Sequence, residues 1–210
     1  MKRRMICLAT ILAVVGGGVA AWTMTARAGY ESAEYKVIES DHNIEIREYP
    51  DLMLVATDSN MDSQGRDGSF MRLFRYISGT NEDNQKIAMT TPVFMEGEVG
   101  KRNVSMGFVM PKEVAAEGVP EPKGEGVEIR KREGGRFAVI RFSGRIDARV
   151  AKQQEEKLRM WMKSRGLAGD ANAEAAGYDP PFTPGPLRRN EILIRLEEER
   201  NNSTGTDNGS

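Results

Sequence analysis

Residue types able to do demanding chemistry are scarce in this chain. Among 210 residues there is one His and one Cys. That excludes a His/Cys zinc cluster, a C-x-x-C redox pair and ligation of one iron by two imidazoles. The single imidazole, His42, lies in Ser40-Asp41-His42-Asn43, which reads as a turn between two strands. An exposed turn residue is the ordinary reading, and a ligand to iron is the alternative. No G-x-S-x-G elbow accompanies it, so a Ser-based triad has no support. Acid–base chemistry would have to come from Glu45, Glu48, Asp179 or Glu191, each as easily a surface or strand-end carboxylate. The chain carries little catalytic hardware, with no catalytic residue and no metal site to name.

Binding is better served. Phe70, Leu73, Phe74 and Ile77 fall at i, i+3, i+4 and i+7, the stripe of an amphipathic helix. Arg72 and Arg75 sit beside them. Such a helix is ordinarily a core helix with solvated arginines. The same pattern also suits a flat apolar ligand carrying carboxylates, with aromatic walls and a guanidinium at the rim. A second feature is Gly177-Tyr178-Asp179-Pro180-Pro181-Phe182-Thr183-Pro184. Its prolines predict a stiff loop that holds Tyr178 and Phe182 at low entropic cost, as a structural clamp or as one wall of a site. Of twelve methionines, Met71, Met89, Met95, Met106, Met110 and Met160 lie in or beside predicted core elements. Most fill core space, and one or two could line a pocket.

The elements that position these residues follow from periodicity. Ile44-Glu45-Ile46-Arg47 alternates as a half-buried strand does. Further strands are expected at Leu52–Thr57, Val93–Met95, Val104–Met110, Val127–Arg132, Phe137–Phe142 and Ile192–Leu196. One helix is expected over Phe70–Ile77, with Gly79 at its end. Another spans Ala148–Arg165, with Asp147 as N-cap and Gly166 as stop. Val114–Gly126 reads as a surface loop. The order strand, helix, proline loop, strand occurs twice, once ending at Pro92-Val93-Phe94 and once at Ile192–Leu196. The expected fold is therefore α+β: a distorted antiparallel β-barrel with two helices and a pseudo-twofold internal duplication.

Composition agrees with one soluble domain. The chain is 39% hydrophobic and 29% charged, with a formal net charge of −1, which gives no reason to expect nucleic acid. The N-terminus differs. Lys2, Arg3 and Arg4 precede an apolar run from Met5 to Trp22, and Ala26-Arg27-Ala28 follows. That is the order of a secretory signal peptide, and it predicts cleavage after Ala28. An uncleaved anchor is the rival, weakened by Gly16-Gly17-Gly18. Loss of residues 1–28 would leave 26 Lys+Arg against 31 Asp+Glu and remove Cys7. We expect an exported, periplasmic or secreted domain over residues 29–200 and a disordered tail over 201–210.

Several motifs, taken in order, resemble one family. They are Tyr35-Lys36-Val37-Ile38, Ile44 to Pro50, Tyr76-Ile77-Ser78-Gly79-Thr80-Asn81, Lys86 to Val93, Phe142-Ser143-Gly144, Gly177 to Phe182 and Arg189-Asn190-Glu191. Together they resemble the SOUL haem-binding proteins across residues 34–197. The resemblance implies a barrel-like fold and a non-covalent haem or related tetrapyrrole as ligand. It implies a pocket between the first helix and the Tyr178–Pro184 loop, with Phe70, Phe74 and Phe182 as apolar wall, Tyr178 on the loop and Arg75 near the propionates. Two departures stand out. Some members carry a His where this chain has Glu48, and a Lys where it has Thr183. The expected site therefore lacks a His axial ligand and one cation. Alternatives are an effector-type module that holds hydrophobic cations against an acid, or a tetrapyrrole-modifying enzyme.

Overall fold

The computed structural model describes residues 29–59, 68–97, 104–180 and 183–197. The leader and the tail lie outside these residues, as does Phe182. In chain order the elements are β1 (Glu31–Ser32), β2 (Lys36–Asp41), β3 (Ile44–Tyr49), β4 (Leu52–Ser59), α1 (Ser69–Ile77), β5 (Thr90–Thr91), β6 (Val93–Glu96) and β7 (Val104–Val109). They continue with α2 (Lys112–Glu117), β8 (Glu128–Arg132), β9 (Gly135–Ser143), α3 (Ala148–Ser164), β10 (Glu174–Gly177), a 3-10 turn (Gly185–Leu187) and β11 (Arg189–Arg195). The short strands β1 and β5 pair in parallel on their own.

The other nine strands form one antiparallel sheet in the order β2-β3-β9-β11-β10-β6-β7-β4-β8. It is strongly curved but not closed into the expected barrel, since β2 and β8 stay as separate edges. The reason lies at one corner. The β3–β9 ladder ends at Tyr49↔Gly135, and a β4–β8 ladder resumes at Leu52↔Arg132. Between them Pro50 has no N–H to donate. The Gly134 N–H is instead taken by the Asp51 carboxylate at 2.7 Å, and Arg195 binds the Gly134 carbonyl at 2.5 Å. The crossing is tight: a Cβ on Gly134 would stand 2.6 Å from the Tyr49 carbonyl oxygen and 2.8 Å from the Asp51 nitrogen.

Read from its centre, the order β9-β11-β10 is answered by β4-β7-β6. Helix α3 packs on β9 and β11, and α1 on β4 and β7. The partner of β6 in this pattern is β10, and β7 is the partner of β11. The sequence alone set the Val93 strand against Ile192–Leu196, because β10 carries no pattern. Glu174-Ala175-Ala176-Gly177 has four residues, none β-branched or aromatic, yet it occupies a central position between β11 and β6. Residues 112–117, partly within the expected Val114–Gly126 loop, form α2 and bury Val114.

Three apolar clusters follow from the alternation of the strands. One lies under α3, with Ile44, Ile46, Ile140, Ile192 and Leu158. One lies under α1, with Val55, Leu73, Tyr76, Phe108 and Val114. The third fills the concave side with Tyr49, Leu54, Phe94, Phe137, Tyr178 and Leu193. The strand β3 is therefore covered on both faces. Ile44 and Ile46 face α3, whereas Arg47 and Tyr49 are buried on the other side. Its alternation of apolar and charged residues marks two kinds of interior, not an interior and a solvated face. The start of α3 is as expected: the Asp147 carboxylate accepts from the Val150 N–H at 2.8 Å.

Candidate functional site

Helix α1 divides its side chains between three environments. Leu73, Tyr76 and Ile77 are buried. Phe70 is half-buried at the margin, its ring edge-on to Phe108 at 5.3 Å. Phe74 stacks on Phe70 at 6.2 Å and keeps 43% of its surface exposed, and Met71 keeps 48%. Two large apolar side chains are thus left open side by side on one helix. Of the two arginines, Arg72 is pinned to the end of β4, donating to Thr57 Oγ1 at 3.0 Å and to the Asp58 carbonyl at 2.7 Å. Arg75 is exposed, and its guanidinium makes no ion pair among the described residues. The helix thus presents Phe74, Met71 and the exposed Arg75 on one outward face.

The Tyr178 side chain is elsewhere. It is buried in the concave cluster, on the other side of the sheet from α1, and does not share a wall with Phe70 and Phe74. Its hydroxyl donates to Glu191 Oε2 at 2.8 Å, and burial pushes its pKa well above the ordinary 10.0. The turn that follows is fixed by its own contacts: the Thr183 N–H reaches the Pro180 carbonyl, and the Thr183 carbonyl accepts from Arg188 Nε at 2.8 Å. Thr183 is buried.

Around Tyr178 lies a polar centre that sequence reasoning missed. Arg47 and Glu191 are both fully buried and meet in a fork, Nη1 to Oε2 at 2.8 Å and Nη2 to Oε1 at 3.0 Å. Arg189 adds Nη2 to Glu191 Oε1 at 2.6 Å, and Arg47 Nε donates to Glu45 at 2.6 Å. The guanidiniums also lie over rings, Arg47 over Tyr35 at 4.1 Å and Arg189 over Tyr178 at 4.0 Å. Burial alone would raise the Glu191 carboxyl. Bonds from Arg47 and the charges of both arginines more than reverse this and hold it below the ordinary 4.5. Burial pushes Tyr49 up to about 12. Two guanidiniums against two carboxylates leave no free charge, so the centre is a structural lock. The signal for it was Arg47 and Tyr49 sharing the parity of Glu45 on β3.

The remaining acid–base candidates are also occupied or remote. Asp179 accepts from the Arg189 N–H at 2.6 Å, and Glu48 is exposed on β3. His42 occupies the β2–β3 turn with its side chain 94% exposed, 3.8 Å from Asp41. It is on the α3 side, where Trp161 bonds Asp41, at the far end of the sheet from α1. Among the described residues no group of three or more His, Cys, Asp or Glu could hold a metal ion, and no helix is long and apolar enough to cross a membrane.

Comparison with known proteins agrees with this architecture. Heme-binding protein 1 of Xenopus tropicalis is 27% identical over 176 residues, 78% of this chain and 91% of that protein. Heme-binding protein 1 of Bos taurus is 26% identical over 149 residues, 68% of this chain and 76% of that protein. The crystal structure of a hydrolase from Listeria innocua superposes with a TM-score of 0.55 at 12% identity, over 76% of this chain and 94% of that one. This last likeness is one of fold. Residues 30–195 match the family described as SOUL heme-binding protein, and the chain belongs to that family.

Proposed function

We propose that the protein binds a haem-type tetrapyrrole non-covalently on the outward face of α1, as an exported carrier, buffer or sensor. The observation that carries the reading is the open face of Phe74 and Met71 beside the exposed Arg75, which has no ion pair among the described residues, in a chain of this family. The macrocycle lies against Phe74 and Met71, with Phe70 behind them, and Arg75 meets a propionate. This donor set suits an apolar dianion and offers the iron no imidazole, since His42 is remote. The iron chemistry is the cofactor's own, and these residues bind and orient it. Export rests on Lys2-Arg3-Arg4, the apolar run and Ala26-Arg27-Ala28.

A site for hydrophobic cations would need an unpaired acid, and Glu191 is already matched by two guanidiniums. Binding without catalysis is supported by the engagement of Glu45, Asp179 and Glu191 and by the position of Glu48 on β3 rather than at α1. The test is titration with haemin, following the Soret band, for the wild-type chain and for Phe74→Ala, Arg75→Glu and His42→Ala. Saturable 1:1 binding that weakens with the first two and not the third supports the reading. Equal affinity in all four, or linear unsaturable changes, overturns it.

A further inference from the structure

A concavity lies beside α3, independent of the α1 face. It has a volume of about 570 Å3, within the range of small-molecule sites. Its walls are the first two turns of α3 and the stretch from Ala171 through β10. Ala151 on the helix faces the strands across Ala175 and Ile192. These three are buried, so the floor is apolar and reaches the edge of the α3 core. Small side chains on both sides keep helix and strand from filling the space between them. The strand-order pattern places this groove beside α3 and β10, as α1 stands towards β6.

The charges on the rim are asymmetric. Glu155 is engaged by Arg159 at 2.7 Å, and Glu174 by Arg132 at 2.7 Å. Arg149 and Lys152 line the groove as well. Both are exposed and have no ion pair among the described residues. Among the described residues the acids of the rim are thus neutralised, and two cations are left over an apolar floor. We propose that this groove binds an amphiphilic carboxylate, its apolar body over Ala151, Ala175 and Ile192 and its carboxylate at Arg149 and Lys152.

The test is calorimetric titration of the full-length protein with dodecanoate. Saturable 1:1 binding is expected, weakened at least tenfold in the double variant Arg149→Glu/Lys152→Glu. Both positions are exposed, so folding should be unaffected. Ala173→Phe, which places a ring at the groove, should weaken binding similarly. Phe74→Ala/Arg75→Glu should leave dodecanoate binding unchanged, which separates this site from the α1 face and its haemin titration. Absence of saturable binding, insensitivity to Arg149→Glu/Lys152→Glu, or loss of binding in Phe74→Ala/Arg75→Glu would each overturn the proposal.

Discussion

Replacing Phe74 by Ala separates binding on the proposed α1 face from the fold. The ring leaves 43% of its area to solvent. A fully covered Phe buries on the order of 200 Å2, so a ligand lying over this face would remove roughly 85 Å2 more from water. At about 25 cal/mol per Å2 that is about 2 kcal/mol of binding, or about a 30-fold rise in Kd. The stability cost is smaller, because Phe74 rests on the margin of the core and its main contact is the stack on Phe70 at 6.2 Å. Loss of such a pair costs about 1 kcal/mol. Haemin titration reads the first quantity, and a urea midpoint with unchanged slope reads the second. A Kd within about twofold of the wild type would mean that no ligand covers Phe74. A large fall in stability with no loss of affinity would mean that the ring is structural.

Arg75→Glu should weaken haemin severalfold, more at low salt than at high, and leave binding of a tetrapyrrole without carboxylates unchanged; parallel titrations at two ionic strengths check this. Glu191→Gln leaves both terminal nitrogens of the buried Arg47 without their carboxylate, Glu45 remaining only on Nε, and should cost about 3–5 kcal/mol, read from denaturant midpoints. Because the folded Glu191 carboxyl is held below 4.5, its contribution is complete above the unfolded value and is lost as pH falls through the folded one. The acid limb of the stability profile should therefore be shallower in Glu191→Gln. On the alkaline side, burial pushes Tyr49 and Tyr76 up to about 12, so stability should fall as pH rises from about 10 through about 12. Phenolate absorbance, native against denatured, checks that window. Gly134→Ala should destabilise by roughly 1–3 kcal/mol, because the added Cβ meets backbone that cannot swing aside.

Local signals were legible in proportion to how local their causes are. The α1 stripe from Phe70 to Ile77 and the Asp147 cap of α3 are set by residues within a few positions, and both stand as read. Strand β10 was not legible, since Ala175 and Ala176 carry no propensity and are held by β11 and β6, which lie far off in the chain. Tyr178 misled for a related reason: the prolines do stiffen the turn, but whether its ring faces out or in depends on the Glu191 carboxylate across the sheet. Arg47 misled because a charge in an alternating strand ordinarily faces water.

The sequence by itself determined the long periodic segments, such as α1, α3 and β9, and the family; Phe70, Phe74 and Arg75 it offered only as candidates. Tertiary structure decided which of these remain open. Covering one flank of α1 with Phe108 and Val114 leaves Phe74, Met71 and Arg75 outward. Pairing of Arg47 and Arg189 with Glu191 removes the most conspicuous buried charges from any ligand's reach. Both outcomes arise from contacts between segments distant in the chain, and pairing across such distances is set by the whole sheet rather than by any one segment's pattern.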